Sequence, residues 1–189
     1  VCGRVQGVGI KAPIIHMPVV RVGQRWVLDH HGEFPMSSLG FKYVLVCIDS
    51  TSLFVELLPA KTTSALETIQ LLHDAIVCRY GIMKETVFLT DQGSAFMSKY
   101  FKLFNDTFGI KHATSTAYHH QSIGKAESIA SSIYKSLRTM CNEQKDWDKY
   151  LPSVALSYRA SATTCLRGLS PAEILRGYPM RLQIDNSIL

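Results

Sequence analysis

Apolar positions along this chain follow two rhythms. Up to about residue 60 they come in short, dense runs. Trp26-Val27-Leu28-Asp29 is a brief apolar run of strand character, followed by a polar turn region from His31 to Gly40. Phe41 to Ile48 is rich in β-branched and aromatic residues and predicts a strong strand. Asp49-Ser50-Thr51-Ser52 has turn chemistry, and Leu53 to Leu58 predicts a third strand ended by Pro59. Short connections between three such runs predict an antiparallel meander.

Beyond residue 60 the spacing turns helical. Ser64-Ala65-Leu66-Glu67 is a capping-box pattern, with Leu66, Ile69, Leu72 and Ile76 recurring behind it and Gly81 as the stop. Thr86 to Thr90 predicts a fourth strand ending at Asp91-Gln92-Gly93, Phe96 to Phe108 a helix, and Ile110 to Thr114 a fifth strand. Helical spacing returns from Ser122 to about Cys141 and from Asp146 to Tyr158, and Ser170-Pro171-Ala172-Glu173 opens a short last helix. The order β-β-β-α-β-α-β-α-α belongs to an α/β fold, a mixed sheet flanked by helices.

Composition narrows the class. The 189 residues are 47% hydrophobic and 19% charged, enough for one globular domain with a sizeable core. No apolar run approaches the ~18 residues of a membrane span. Net charge is +5, with nine Lys/Arg against six Asp/Glu from Gln121 onward, which suits a polyanionic partner. The five cysteines are scattered without a C-x-x-C pair, so neither a disulfide framework nor a Cys-based zinc site is expected, and free thiols suit a nuclear or cytosolic setting. The chain starts at Val1 and reads as a piece of a longer protein, with residues 1–25 as a linker, 26–180 as the core and 181–189 as a tail.

Three carboxylates sit where chemistry can be built. Asp29 ends the first strand, Asp91 follows the fourth, and Glu127 lies one turn into the long helix, with 35 residues between it and Asp91. At about 100° per residue, Glu127 falls on the seam between an apolar arc (Ile123, Ala126, Ile129, Ala130, Ile133) and a small, hydroxylated, basic arc (Gly124, Lys125, Ser128, Ser131). Asp49 is the decoy: it too follows a strong strand, and periodicity alone leaves the choice between Asp29 and Asp49 open.

The segments Thr90-Asp91-Gln92-Gly93-Ser94-Ala95-Phe96 and Ala117-Tyr118-His119-His120-Gln121-Ser122-Ile123-Gly124-Lys125-Ala126-Glu127 resemble the integrase catalytic core of retroviruses and gypsy-type LTR retrotransposons. That family has a (T/S)-D-x-G-x-x-F segment and then Y-H-P-Q-x-x-G-x-x-E, in D,D-35-E spacing. Trp26 to Gly32 resembles its first-Asp strand. Gly40 to Asp49 resembles its second, whose closing Asp is not a ligand, so the resemblance selects Asp29. Asp146 to Leu151 and Ser170 to Gly177 resemble its closing segments. Three features depart from the pattern: His120 stands at the usual Pro, Ser128-Ile129-Ala130-Ser131 replaces a common basic run, and Gly32-Glu33 replaces a frequent Gly-Pro.

The resemblance implies a ribonuclease H-like fold, with a five-stranded sheet of three antiparallel strands and then two parallel ones. It implies catalysis by Asp29, Asp91 and Glu127 holding two Mg²⁺ or Mn²⁺ ions, with Asp29 shared between them. Hard ions suit all-oxygen ligands. The expected reaction is 3′-end processing and strand transfer of element DNA into target DNA, without a protein nucleophile. Gln121, Ser122, Lys125 and Tyr118 are the expected DNA contacts, and double-stranded DNA and further copies of the chain are the expected partners. The expected location is the nucleus, with cytoplasmic passage. Cys2 with Lys11 resembles the tail of an upstream zinc domain whose other ligands are missing here, so no zinc is expected. Two other readings compete: a related transposase or ribonuclease H-type nuclease, and a host-captured relic that binds DNA or protein without turnover.

Overall fold

The computed structural model describes residues 21–114, 120–143 and 145–180, with the side chains of the longest helix described from Ala126 to Cys141. The three early strands are β1 (Arg25–His31), β2 (Tyr43–Asp49) and β3 (Val55–Ala60). Helix α1 (Ala65–Leu72) runs into a π-helical turn (His73–Val77) and a last short turn, α2 (Cys78–Tyr80). Then come β4 (Val87–Thr90), α3 (Lys99–Phe108), β5 (Lys111–Thr114), α4 (His120–Glu143), α5 (Trp147–Ala160) and α6 (Pro171–Arg176). The strands form one mixed sheet in the order β3-β2-β1-β4-β5. β1 pairs antiparallel with β2 and β2 with β3, while β1–β4 and β4–β5 are parallel.

Strand alternation divides the core in two. On one face Val44, Val46, Ile48, Val55 and Leu57 meet α4 and α5. The α4 stripe Ala126, Ala130, Ile133, Leu137 and Cys141 repeats every three or four residues and is buried throughout. Trp147 and Leu151 close this layer, and the Trp147 indole donates to the Pro35 carbonyl at 2.8 Å, tying α5 to the β1–β2 connection. On the other face Trp26, Leu28, Leu45, Cys47 and Phe88 meet Leu72, Ile76, Phe101 and Phe104 of the α1 and α3 side. At about 1.5–3 kcal/mol for each fully buried large side chain, both layers supply strong driving force. A charged network pins β3: buried Glu56 accepts from Arg159 of α5 and from the Tyr80 hydroxyl.

The element order matches the sequence reading, with local differences. Pro59 lies inside β3 rather than ending it. β3 is an edge strand, and an edge tolerates a residue with no N–H. Helix α3 begins at Lys99, not Phe96, because Ser98 caps it by accepting from the Phe101 N–H. Ser64 caps α1, but Glu67 turns away to accept from the Lys61 and Thr62 N–H groups, so the reciprocal box is not formed there. It is formed at Ser170 and Glu173.

Candidate metal centre

Pairing places Asp29 and Asp91. In the parallel β1–β4 ladder Leu28 faces Thr90, and one further residue along both strands brings Asp29 beside Asp91. Trp26 and Phe88 are a register pair pointing into the α1/α3 layer, so alternation turns the following odd-numbered positions, Asp29 and Asp91, toward the α4 side. Both aspartates line one cleft of about 180 Å³ with His30, Thr63, Gly93, Ser94, Ala95 and Phe96.

The two carboxylates have different surroundings. Asp91 is exposed, and its Oδ1 accepts from the Gly93 N–H at 2.9 Å. A side chain at residue 93 would crowd it: a Cβ there would stand 2.9 Å from the same oxygen. Asp29 is half-buried. Its carboxyl is pushed up to about 6, first by burial and then by the charge of Asp91, with a smaller push from Glu127 and an opposing backbone bond at His30. Glu127 projects from the exposed side of α4, one residue past buried Ala126. The three carboxylates therefore share one electrostatic neighbourhood. They are not drawn tight: among the described residues the one group of three potential ligands within 4.8 Å of one another lies elsewhere, on the helix after β3.

Two histidines frame the site from opposite faces. His30 points into the α1/α3 layer, stacks on Phe96 with ring centroids 5.1 Å apart, and meets the Thr68 hydroxyl at 3.2 Å. Burial pushes it down to about 4. His31 points the other way, its ring 5.1 Å from that of Tyr134 on α4. Its Nε2 is buried with no hydrogen-bond partner and lies 3.7 Å from Asp29 Oδ2. Both histidines flank Asp29 in the sequence, and period-two alternation is the signal that separates them once β1 is known to be buried on both faces.

Asp49 has a structural part. It is fully buried; Oδ1 accepts from the Gly23 N–H at 2.9 Å, and Oδ2 accepts from the Ser52 N–H at 2.7 Å and its hydroxyl at 2.6 Å. Of the expected DNA contacts, Gln121, Ser122 and Lys125 fall in the first turns of α4, with side chains outside the described residues, and Tyr118 lies outside them altogether. Cys2 and Lys11, expected to belong to a zinc-domain tail, also lie outside.

The donor set fits divalent metal. It is all carboxylate oxygen, the preference of hard ions such as Mg²⁺. Burial first, and then the neighbouring charges of Asp91 and Glu127, disfavour the ionised Asp29 carboxyl, which a bound cation would relieve, and the missing side chain at Gly93 keeps the Asp91 oxygens accessible.

Comparison with known proteins agrees with this fold. The family model described as "Integrase core domain" matches residues 20–120. The Gag-Pol polyprotein of feline leukemia virus is 35% identical over 181 residues, covering 94% of this chain and 10% of the polyprotein. That of gibbon ape leukemia virus is 36% identical over 161 residues, covering 84% of this chain and 9% of the polyprotein. The chain thus spans about a tenth of these relatives' length. Among solved structures, the catalytic core domain of BIV integrase superposes with a TM-score of 0.62 at 20% identity, covering 81% of this chain and 93% of that one. The HTLV-2 integrase catalytic core domain in complex with magnesium, in a trimeric form, gives 0.61 at 19% identity, with coverage of 83% and 99%. A simian T-cell lymphotropic virus intasome bound to PP2A regulatory subunit B56 gamma gives 0.68 at 20% identity, covering 91% of this chain and 61% of that one. The architecture is therefore the ribonuclease H-like fold of integrase cores.

Proposed function

The chain belongs to the integrase core domain family, of retroviral type, and from that premise we propose that it is a polynucleotidyl transferase core, processing the 3′ ends of element DNA and joining them to target DNA. The observation that carries this is the placement of Asp29 and Asp91 on adjacent parallel strands, lining one cleft, with Glu127 close enough to act on Asp29. Asp29, Asp91 and Glu127 would hold two Mg²⁺ or Mn²⁺ ions. Ions held there would activate an oxygen nucleophile and relieve charge on the leaving oxygen of an in-line displacement.

The remaining work falls to the chain's own groups. Gly93 holds the Asp91 carboxylate by its N–H and keeps its approach clear. His31, packed on Tyr134, orders the α4 side of Asp29. His30 is held neutral by burial and props the opposite side through Phe96 and Thr68. No side-chain nucleophile is needed: water serves the processing step, and the new 3′-OH serves the joining step. Gln121, Ser122, Lys125 and Tyr118 would meet DNA, and the positively charged second half of the sequence suits its phosphates. The trimeric form of the HTLV-2 core and the assembled simian T-cell lymphotropic virus intasome support assembly into a dimer or a higher multimer. Work on chromosomal DNA would place the protein in the nucleus.

The test is strand transfer with labelled element-end DNA and Mn²⁺, alongside Asp91→Asn and a disintegration substrate. Product lost in the variant supports the proposal. Cleavage of an RNA–DNA hybrid alone would replace it with a ribonuclease H-type activity, and binding without turnover on either DNA substrate would replace it with a captured binding module.

A further inference from the structure

The continuous helix between β3 and β4 contains a feature the integrase reading leaves unused. Helix α1 changes at His73 to a π-helical turn through Val77, and the Cys78 N–H bonds the His73 carbonyl five residues back. In an α-helix, residues five apart sit about 140° apart around the axis. The i→i+5 pattern widens the turn and lines them up. His73 and Cys78 are thereby brought together: Sγ lies 3.7 Å from Nδ1 and 3.8 Å from Nε2 of the imidazole.

Asp74 completes the group. Its Oδ1 lies 3.1 Å from His73 Nδ1, while Oδ2 accepts from Gln70 at 2.9 Å, which fixes the carboxylate from the preceding turn. One nitrogen, one oxygen and one sulfur atom all lie within 4.8 Å of one another. In a tetrahedral zinc site, bond lengths of about 2.0–2.3 Å imply N···S and N···O separations of about 3.6 and about 3.3 Å. The observed 3.7 and 3.1 Å are already close to both. His73 is half-buried beside Phe108, whereas Asp74 and Cys78 are exposed, so an ion has a wall on one side and an entry on the other.

We propose that His73, Asp74 and Cys78 form a second cation site, selective for one borderline-soft transition-metal ion such as Zn²⁺, with water in the fourth position. Imidazole and thiolate ligands select against Mg²⁺. Cys78 lies about 21 Å along the helix from the Ser64 cap, so the site is separate from the acidic cleft. The bound ion would clamp the π-turn. This revises the expectation that the chain binds no zinc, which rested on Cys2 and on the lack of paired cysteines. A His-Asp-x-x-x-Cys spacing carries no signal unless the helix is known to widen.

The test titrates the metal-free full chain with Co²⁺. One equivalent should bind at this site, over and above any Co²⁺ taken up by the acidic cleft, giving thiolate-to-cobalt charge-transfer absorption that Zn²⁺ displaces and Mg²⁺ does not. Cys78→Ser should abolish the band and His73→Gln should weaken Co²⁺ binding at least tenfold, while Cys165→Ser, Asp29→Asn and Asp91→Asn leave it unchanged. Unchanged melting of the metal-free Cys78→Ser and His73→Gln variants would separate ligand loss from misfolding. A wild-type chain without the band, or a band that survives Cys78→Ser, would overturn the proposal.

Discussion

Asp29 and Asp49 are the same residue type near the ends of neighbouring strands, and the structure gives them opposite surroundings. β1 and β2 run antiparallel, with Trp26 opposite Asp49 and Asp29 opposite Val46, so the two carboxylates lie toward opposite ends of the sheet. At one end Asp49 is fully buried, and three hydrogen bonds from Gly23 and Ser52 stabilise its charge. At the other, Asp29 faces a cleft beside Asp91 and is partly exposed. Burial raises both carboxyls. At Asp49 the bonds from Ser52, Gly23 and Thr51 oppose the rise; at Asp29 the charges of Asp91 and Glu127 add to it. At Asp49 the fold itself satisfies the charge, whereas at Asp29 neighbouring carboxylates add to it.

The largest effect should separate the two by function. Asp29→Asn should lower strand transfer by about 10³-fold or more with its metal-free melting temperature kept or raised, because metal stabilisation of the transition state is worth several kcal/mol. Equal activity in the variant, read in the same gel assay, would break the comparison.

Stability should show the converse. Asp49→Ala leaves the Gly23 and Ser52 donors without their buried acceptor and should cost about 3 kcal/mol, seen as a drop of roughly 10 °C in melting temperature. Any stabilisation by Mn²⁺ should persist in this variant. A loss of that response would mean that Asp49, not Asp29, belongs to the metal centre.

A smaller effect is expected at Gly93. The added Cβ of Gly93→Ala would lie 2.9 Å from Asp91 Oδ1 and push the carboxylate aside. Turnover should fall about ten- to a hundredfold, corresponding to roughly 1.4–2.7 kcal/mol. The fold should survive, since residue 93 has no left-handed φ. Unchanged turnover would show that the Asp91 position is not critical.

The smallest is a titration. With the Asp29 carboxyl raised from an ordinary 3.8 to about 6, the folded metal-free chain holds that proton more tightly than the unfolded chain. The resulting stabilisation is complete below pH 3.8 and is lost as pH rises through about 6. Asp91→Asn removes the second-largest cause and should lower the Asp29 midpoint by roughly one unit, with Asp49 unmoved, as followed by carboxyl NMR. An unmoved Asp29 midpoint would argue against close approach of the two charges.

Sequence carried the strand and helix order well, because runs such as Tyr43 to Ile48 and the Ala126–Cys141 stripe commit their faces to burial. It singled out Asp29, Asp91 and Glu127 as candidates through motif resemblance, not periodicity, and the structure sets Asp29 and Asp91 on one cleft. What stayed hidden depends on pairing and local winding. Pro59 is admissible in β3 only because that strand is an edge. The opposite assignments of His30 and His31 need both sheet faces covered. The approach of Cys78 to His73 needs a π-turn, which apolar spacing does not announce.

The most direct test of the central claim is anomalous diffraction from crystals grown with Mn²⁺. A manganese peak is expected in the cleft within about 2.0–2.3 Å of carboxylate oxygens from both Asp29 and Asp91, with Glu127 closing on it. No peak between those two aspartates at saturating Mn²⁺, or one held by Asp49 instead, would contradict it.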